Sequence, residues 1–70
     1  MRHGDDWLGT EEVARALGMS RDWVRRQARA GLLPATEWVI GGRTTLRYQW
    51  RDVETFRRLH SRGLGRKYDG

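Results

Sequence analysis

The sequence contains no cysteine. That excludes a disulfide framework, a thiolate metal site and a thiol nucleophile, and it suits a reducing compartment such as a cytoplasm. No apolar run approaches the ~18 residues of a membrane span. The opening Met1-Arg2-His3-Gly4-Asp5-Asp6 lacks the apolar stretch of a secretion signal and reads as a loose leader. Groups for proton transfer near neutral pH are scarce, with only His3 and His60 present. Glycine-rich phosphate loops and metal-ligand spacings are missing as well. The paired acids Asp5-Asp6 and Glu11-Glu12 read as leader and first-turn residues. No catalysis, cofactor, metal, small-molecule ligand or membrane contact is expected.

Lysine is nearly absent too. Of 14 cationic residues only Lys67 is lysine, and the rest are arginine. Arginine forks phosphates and guanine edges through two parallel N–H donors, whereas lysine acts as a point charge. A GC-rich genome would also enrich arginine, so the bias has two sources. The net charge of +5 is unevenly placed. Residues 1–19 hold Arg2 and Arg15 against four acids, and the cationic excess lies wholly in residues 20–70. Basic charge gathered in one part of a small domain is the footprint of a polyanion binder, the alternative being a solubilising surface.

Seventy residues allow one domain whose core is small, because a chain of this size buries only ~60% of the surface it exposes unfolded. Four Trp, two Tyr and one Phe supply the bulk. The local signals predict an α+β, mostly helical, winged helix-turn-helix over residues 7–61, with a basic flexible tail over 62–70 that either frays or adds contacts. Trp7-Leu8 is the first stretch expected on the core. Thr10 reads as the N-cap of a helix over 11–17, with Val13, Ala14 and Leu17 inward and Gly18 as its stop. Ser20 caps a second helix over 21–30, stopped by Gly31, and Leu32-Leu33-Pro34 runs extended. Residues 37–40 and 44–48 read as strands around a Gly41-Gly42 turn. A third helix is expected over 51–61, with Val53, Phe56, Arg57, Leu59 and His60 along one stripe. Trp38, Val39 or Ile40, Leu46, Tyr48 and Trp50 are the other core or rim candidates.

Helix, three-residue turn, arginine-rich helix, hairpin, helix is the order that puts a second helix into a DNA major groove. Gly18-Met19-Ser20 supplies the turn, with Met19 filling the angle between the helices. On the second helix Arg21, Asp22 and Arg25 are the base-reading candidates beside the capping Ser20, and Arg26 and Arg29 the phosphate candidates. Asp22 has three open roles: accepting from a cytosine amino group, capping the helix, or orienting Arg25 or Arg26. Trp23 either packs on the core edge or reaches toward the duplex. Arg43, Thr44, Thr45 and Arg47 make the hairpin a basic wing suited to the adjacent minor groove, with Arg47 alternatively on the domain side. An ordinary solvent-facing hairpin guarded by arginine is the competing reading.

Ser20-Arg21-Asp22-Trp23-Val24-Arg25-Arg26-Gln27-Ala28-Arg29-Ala30-Gly31-Leu32-Leu33-Pro34 resembles the helix-turn-helix segment of MerR-type regulators, written Ser-x-x-Thr-Leu-Arg-Tyr-Tyr-Glu-x-x-Gly-Leu-Leu-x-Pro. The match departs where Pro34 follows Leu33 directly and where Arg26 and Gln27 replace the aromatic pair. Trp7-Leu8-Gly9-Thr10-Glu11-Glu12-Val13-Ala14 resembles the opening of small phage excisionases. Arg47-Tyr48 and Arg51-Asp52-Val53-Glu54-Thr55-Phe56 resemble their strand leading into the last helix. Together the resemblance covers about residues 7–60. It implies a stand-alone module, without the coiled coil and sensor domain of MerR-type regulators, working on bacterial nucleoid DNA. Such a module binds direct repeats of double-stranded DNA, touches neighbouring copies of itself, bends the duplex and steers a tyrosine integrase toward prophage excision. A small transcription regulator on the same module is the alternative. A protein-interaction adaptor docking through aromatics such as Trp50 or Tyr68 is the reading from another class.

Overall fold

The computed structural model describes residues 2–60. The expected basic tail over 62–70, with Tyr68, lies outside the described residues. Six elements follow one another: β1 (Trp7–Gly9), α1 (Thr10–Leu17), α2 (Arg21–Arg29), β2 (Thr36–Ile40), β3 (Arg43–Gln49) and α3 (Trp50–Leu59). The strands form one antiparallel sheet in the order β1-β3-β2. The wing is therefore not a two-stranded hairpin alone. Trp7, Leu8 and Gly9 pair with Gln49, Tyr48 and Arg47 and close the second edge of β3. Three residues are too few to show an alternating pattern, so only the partner strand reveals β1 as a strand.

The core gathers Leu8 from β1, Val13, Ala14 and Leu17 from α1, Val24 from α2, Leu33, Tyr48 from β3, and Val53 and Phe56 from α3. Each α1 and α3 member recurs at three- or four-residue spacing, which puts one apolar stripe of each helix against the sheet. Trp23, Met19, Ala28, Leu46 and Trp50 pack around this centre. Two expectations change here, and one open alternative is decided. Leu59 is 74% exposed, one turn past the buried Phe56. Val39 and Ile40 are 74% and 50% exposed, because their part of the hairpin projects past the core. Trp23 lies on the core edge, and its partner is Phe56 of α3, met edge-on at 5.8 Å between ring centroids.

The caps also shift. Gly9, not Thr10, is the N-cap of α1, and its N–H donates to Glu12 Oε1 at 3.3 Å. Thr10 is released to meet the Tyr48 hydroxyl, with the two oxygens 3.3 Å apart. Gly18 ends α1 at φ 69°, a left-handed turn in which its N–H and that of Met19 reach back to the Arg15 and Ala14 carbonyls. Gly41 and Gly42 carry φ 56° and 78°, the pair of positive angles that a two-residue hairpin turn demands. α3 starts directly after β3 and takes its cap from the N-terminal segment. The Trp50 and Arg51 N–H groups, orphaned at a helix start, donate to the carbonyls of Asp6 and Gly4 at 2.9 and 3.1 Å. An ion pair between Arg51 and Asp5 adds to that seam. Residues 2–6, expected as a loose leader, thus fold against the start of α3.

Tyr48 is fully buried and touches both halves of the fold. Replacing it with phenylalanine removes only the contact with Thr10 and should cost about 1 kcal/mol. Alanine should cost roughly 3–5 kcal/mol, comparable to the whole stability of a domain this size. Urea titrations of the two variants check this; equal losses in both would show that the hydroxyl rather than the ring carries the role.

Candidate nucleic-acid interface

α2 has nine residues, and its hold on the domain is narrow: Val24 is fully buried, while Trp23, Gln27 and Ala28 are half-buried around it. With 100° per residue, the rest of the helix faces outward, and that arc holds Arg21, Asp22, Arg25, Arg26 and Arg29, all exposed. Arg21, Arg25 and Arg29 stand at successive four-residue steps, one above another. Such a stripe repels itself by a few tenths of a kcal/mol per neighbouring pair, and an outside anion relieves it.

Two local devices hold α2 in place. The Ser20 hydroxyl accepts the Trp23 N–H at 3.1 Å, filling the N-cap role expected of it. Asp22 is thereby not the cap. Its Oδ1 instead accepts from Arg25 Nη1 at 3.3 Å, in the i,i+3 geometry neighbours on a helix face allow. Of its three open roles, the structure shows the pairing with Arg25. Arg26 and Arg29 sit in the last turn, where the negative end of the helix dipole favours cations.

The wing stands beside this helix. An open cleft of about 710 Å³ is lined by Gly9 to Glu12 at the start of α1, by Arg25 and Arg29 of α2, and by Glu37 and Thr44 to Arg47 of the hairpin. A second groove of about 420 Å³ is lined by Asp22, Arg25, Arg26 and Arg29 alone. The structure therefore brings Arg25 and Arg29 together with Thr44, Thr45 and Arg47 around one concavity. Arg43 stands apart at the wing tip, opposite Ile40 and next to the Gly41-Gly42 turn. Alternation divides the wing residues: Thr44 shares the face of Leu46 and Tyr48, while Arg43, Thr45 and Arg47 share the opposite one. Arg47 is half-buried, with its guanidinium carbon 5.9 Å from the centre of the Trp38 ring.

Sequence reasoning missed the acidic side of the cleft. Glu37 enters it through its pairing with Leu46, and Glu11 and Glu12 enter it because β1 turns straight into α1. Glu11 lies 3.9 Å from Arg15 and Glu12 lies 3.7 Å from Arg2, which moderates their charge. Only the register of β2 on β3 could have found Glu37.

Two helices crossing at a glycine turn, with a hairpin wing beside the second, define a winged helix-turn-helix. The helix-turn-helix domain family model matches residues 7–61, and the chain belongs to that family. Comparison with curated proteins and with solved structures finds no match. Membership in the family supports sequence-specific binding to double-stranded DNA. No helix among the described residues is long and apolar enough to cross a membrane.

Replacing Ser20 with alanine should destabilise the domain by about 1 kcal/mol, and aspartate at the same position should restore most of it. Thermal or urea unfolding reads this directly. An unchanged midpoint in the alanine variant would remove the hydroxyl from any role in holding α2.

Proposed function

We propose that α2 is a recognition helix that enters the major groove N-terminal end first, with the wing following into the neighbouring minor groove. The observation that carries this reading is the outward stripe of Arg21, Arg25 and Arg29, which follows a helix-turn-helix turn and stands beside a projecting hairpin. Arg21 and Arg25 present forked donors to guanine O6 and N7, with Asp22 next to them and Ser20 at the helix start. Arg26 and Arg29, one turn further on, clamp phosphates. Arg43 and Thr44 sit nearest the wing tip and meet the minor groove; Thr45 and Arg47, further from the tip, support the wing and its cleft.

The biological role we propose is that of an excisionase, a DNA-bending accessory factor that binds direct repeats side by side and directs a tyrosine integrase toward excision. The resemblance of residues 7–14 and 47–56 to small phage excisionases supports it. The four exposed arginines of α2 beside the wing agree with that role. Such a protein acts within the bacterial cell, on nucleoid or phage DNA. Transcription regulation through the same module differs in the arrangement of sites: a two-fold dimer requires inverted half-sites, whereas side-by-side monomers require direct ones.

Selection from random duplex DNA, followed by gel shifts on one, two and three copies of the enriched motif, tests the role. Complexes that tighten with each directly repeated copy are expected. A single complex on an inverted repeat would replace the excisionase reading with a dimeric regulator. On the enriched site, Arg25→Ala should cost roughly 1–3 kcal/mol and relax the sequence preference. Arg29→Ala should weaken all sequences alike and lower the salt slope by about one unit. An Arg25→Ala variant with unchanged affinity for site and non-site DNA would take the recognition role away from α2.

A further inference from the structure

The sheet has two faces, and among the described residues only one is covered. Leu8, Leu46 and Tyr48 point to the helices, and the alternate residues of each strand point away from them. On that outer face Trp7 and Trp38 meet with ring centroids 5.2 Å apart, tilted 57°. Trp7 remains 41% exposed and Ile40 50% exposed. Arg47 lies between them along β3, over the Trp38 ring. Opposite it stands Gly9, where a Cβ would come within 2.9 Å of Arg47 Nη1. The missing side chain leaves the space that the guanidinium occupies.

Charge on this face has one sign. By register it carries Arg43 and Arg47 and no aspartate or glutamate; Glu37, the acid of the hairpin strands, is on the opposite face. Among the described residues no ion pair or hydrogen bond holds the Arg47 guanidinium, and its Nε and the Thr45 hydroxyl are enclosed without a partner. An arginine held by stacking alone keeps its other N–H donors for an acceptor that arrives from outside. Beside this face runs the outer edge of β2, which has no strand partner among the described residues. The edge has neither proline nor lysine to blunt it, and its Val39 is 74% exposed.

We propose that this face and the β2 edge form a docking site for an extended acidic segment of a partner protein, added as a fourth strand. Main-chain hydrogen bonds to residues 36–40 would align the segment. Its outward side chains would fall beside Trp38 and Ile40 of β2, and its carboxylates would reach across that strand toward Arg43 and Arg47. A single-stranded nucleic acid could stack on the tryptophans and neutralise Arg47, but it offers no ladder of amides to the β2 edge. The segment would lie in the plane of the sheet beside β2, with its carboxylates on the face turned from the helices, so docking requires no contact with α2. The proposal stands independently of the DNA reading.

The test is an amide and indole NMR titration of the full chain with three probes: a decapeptide alternating glutamate and valine, the same peptide with lysine for glutamate, and an oligothymidine decamer. The acidic peptide should move the Trp38 indole signal and the amides of residues 36–40 while leaving α2 unmoved. The basic peptide should move neither. Ile40→Thr, at an exposed position of β2 outside the arginine stripe, should weaken the acidic peptide roughly tenfold while duplex affinity and the thermal midpoint stay in place. Silence from the acidic peptide, shifts centred on α2, or stronger binding of the oligothymidine on the same face would each overturn the proposal, the last in favour of a nucleic-acid platform.

Discussion

The Tyr48 ring lies where three requirements of this small fold coincide. It sits on the central strand β3, paired with Leu8 across from β1, so it fixes the register that closes the sheet. Its body is fully buried in the core shared with α1 and α3. Its hydroxyl emerges beside Thr10, at the first residue of α1. A tyrosine suits this position because its apolar body fills the centre while its polar tip finds a partner at the edge. The direction of α1 follows from that contact and from the immediate passage of β1 into the helix. The direction of α2 follows from α1 through the left-handed turn at Gly18. The arginine stripe is therefore aimed by a core residue that it never touches.

α2 is poorly suited to stand alone. Nine residues are too few for a stable isolated helix, and four arginines on one arc repel one another. Its stability is borrowed from Val24 in the core, from Trp23 against Phe56, from the Ser20 cap, and from Asp22 drawing Arg25 to one side. The exposed pair with Asp22 is worth only ~0.2–0.5 kcal/mol, so its larger effect is on where Arg25 points. Residues that stabilise the helix and residues that would meet DNA are thus almost disjoint sets, with Ser20 and Asp22 on the boundary.

Much of this was legible in the sequence, because the signals are local. Ser20, Gly18, Gly31 and the Gly41-Gly42 pair each mark a boundary through their own backbone or side-chain chemistry, and all mark the right one to within a residue or two. The buried stripe of α1 follows from periodicity. What was not legible depends on pairing at a distance. β1 exists as a strand only because β3 is there to receive it, and once β1 leads straight into α1, Gly9 takes the cap that Thr10 would have held. The exposure of Val39 and Ile40 depends on how far the hairpin extends past the core. Leu59 keeps its helical spacing but overshoots the sheet. Arg25 and Arg29 were readable as outward arginines; their sharing of a cleft with Thr44, Thr45 and Arg47 required the register of β2 on β3.

That register also separates two kinds of arginine that composition makes look alike. Those of α2 stand in solvent, and among the described residues only Arg25 is drawn to an acid. Arg47 is half-buried against an aromatic ring, in the space left by a glycine on the neighbouring strand. Desolvating a guanidinium without a carboxylate is unfavourable unless stacking compensates or a partner completes it, and stacking on a tryptophan offsets part of the cost. A wing used only to touch a minor groove would need charge at its tip, where Arg43 already stands. The tryptophans and Arg47 lie further back, on the face turned from the helices. The physical consequence is a domain with cationic chemistry on two sides: one exposed and solvated, as the proposed duplex contact requires, the other stacked and half-buried, as the proposed acidic strand requires.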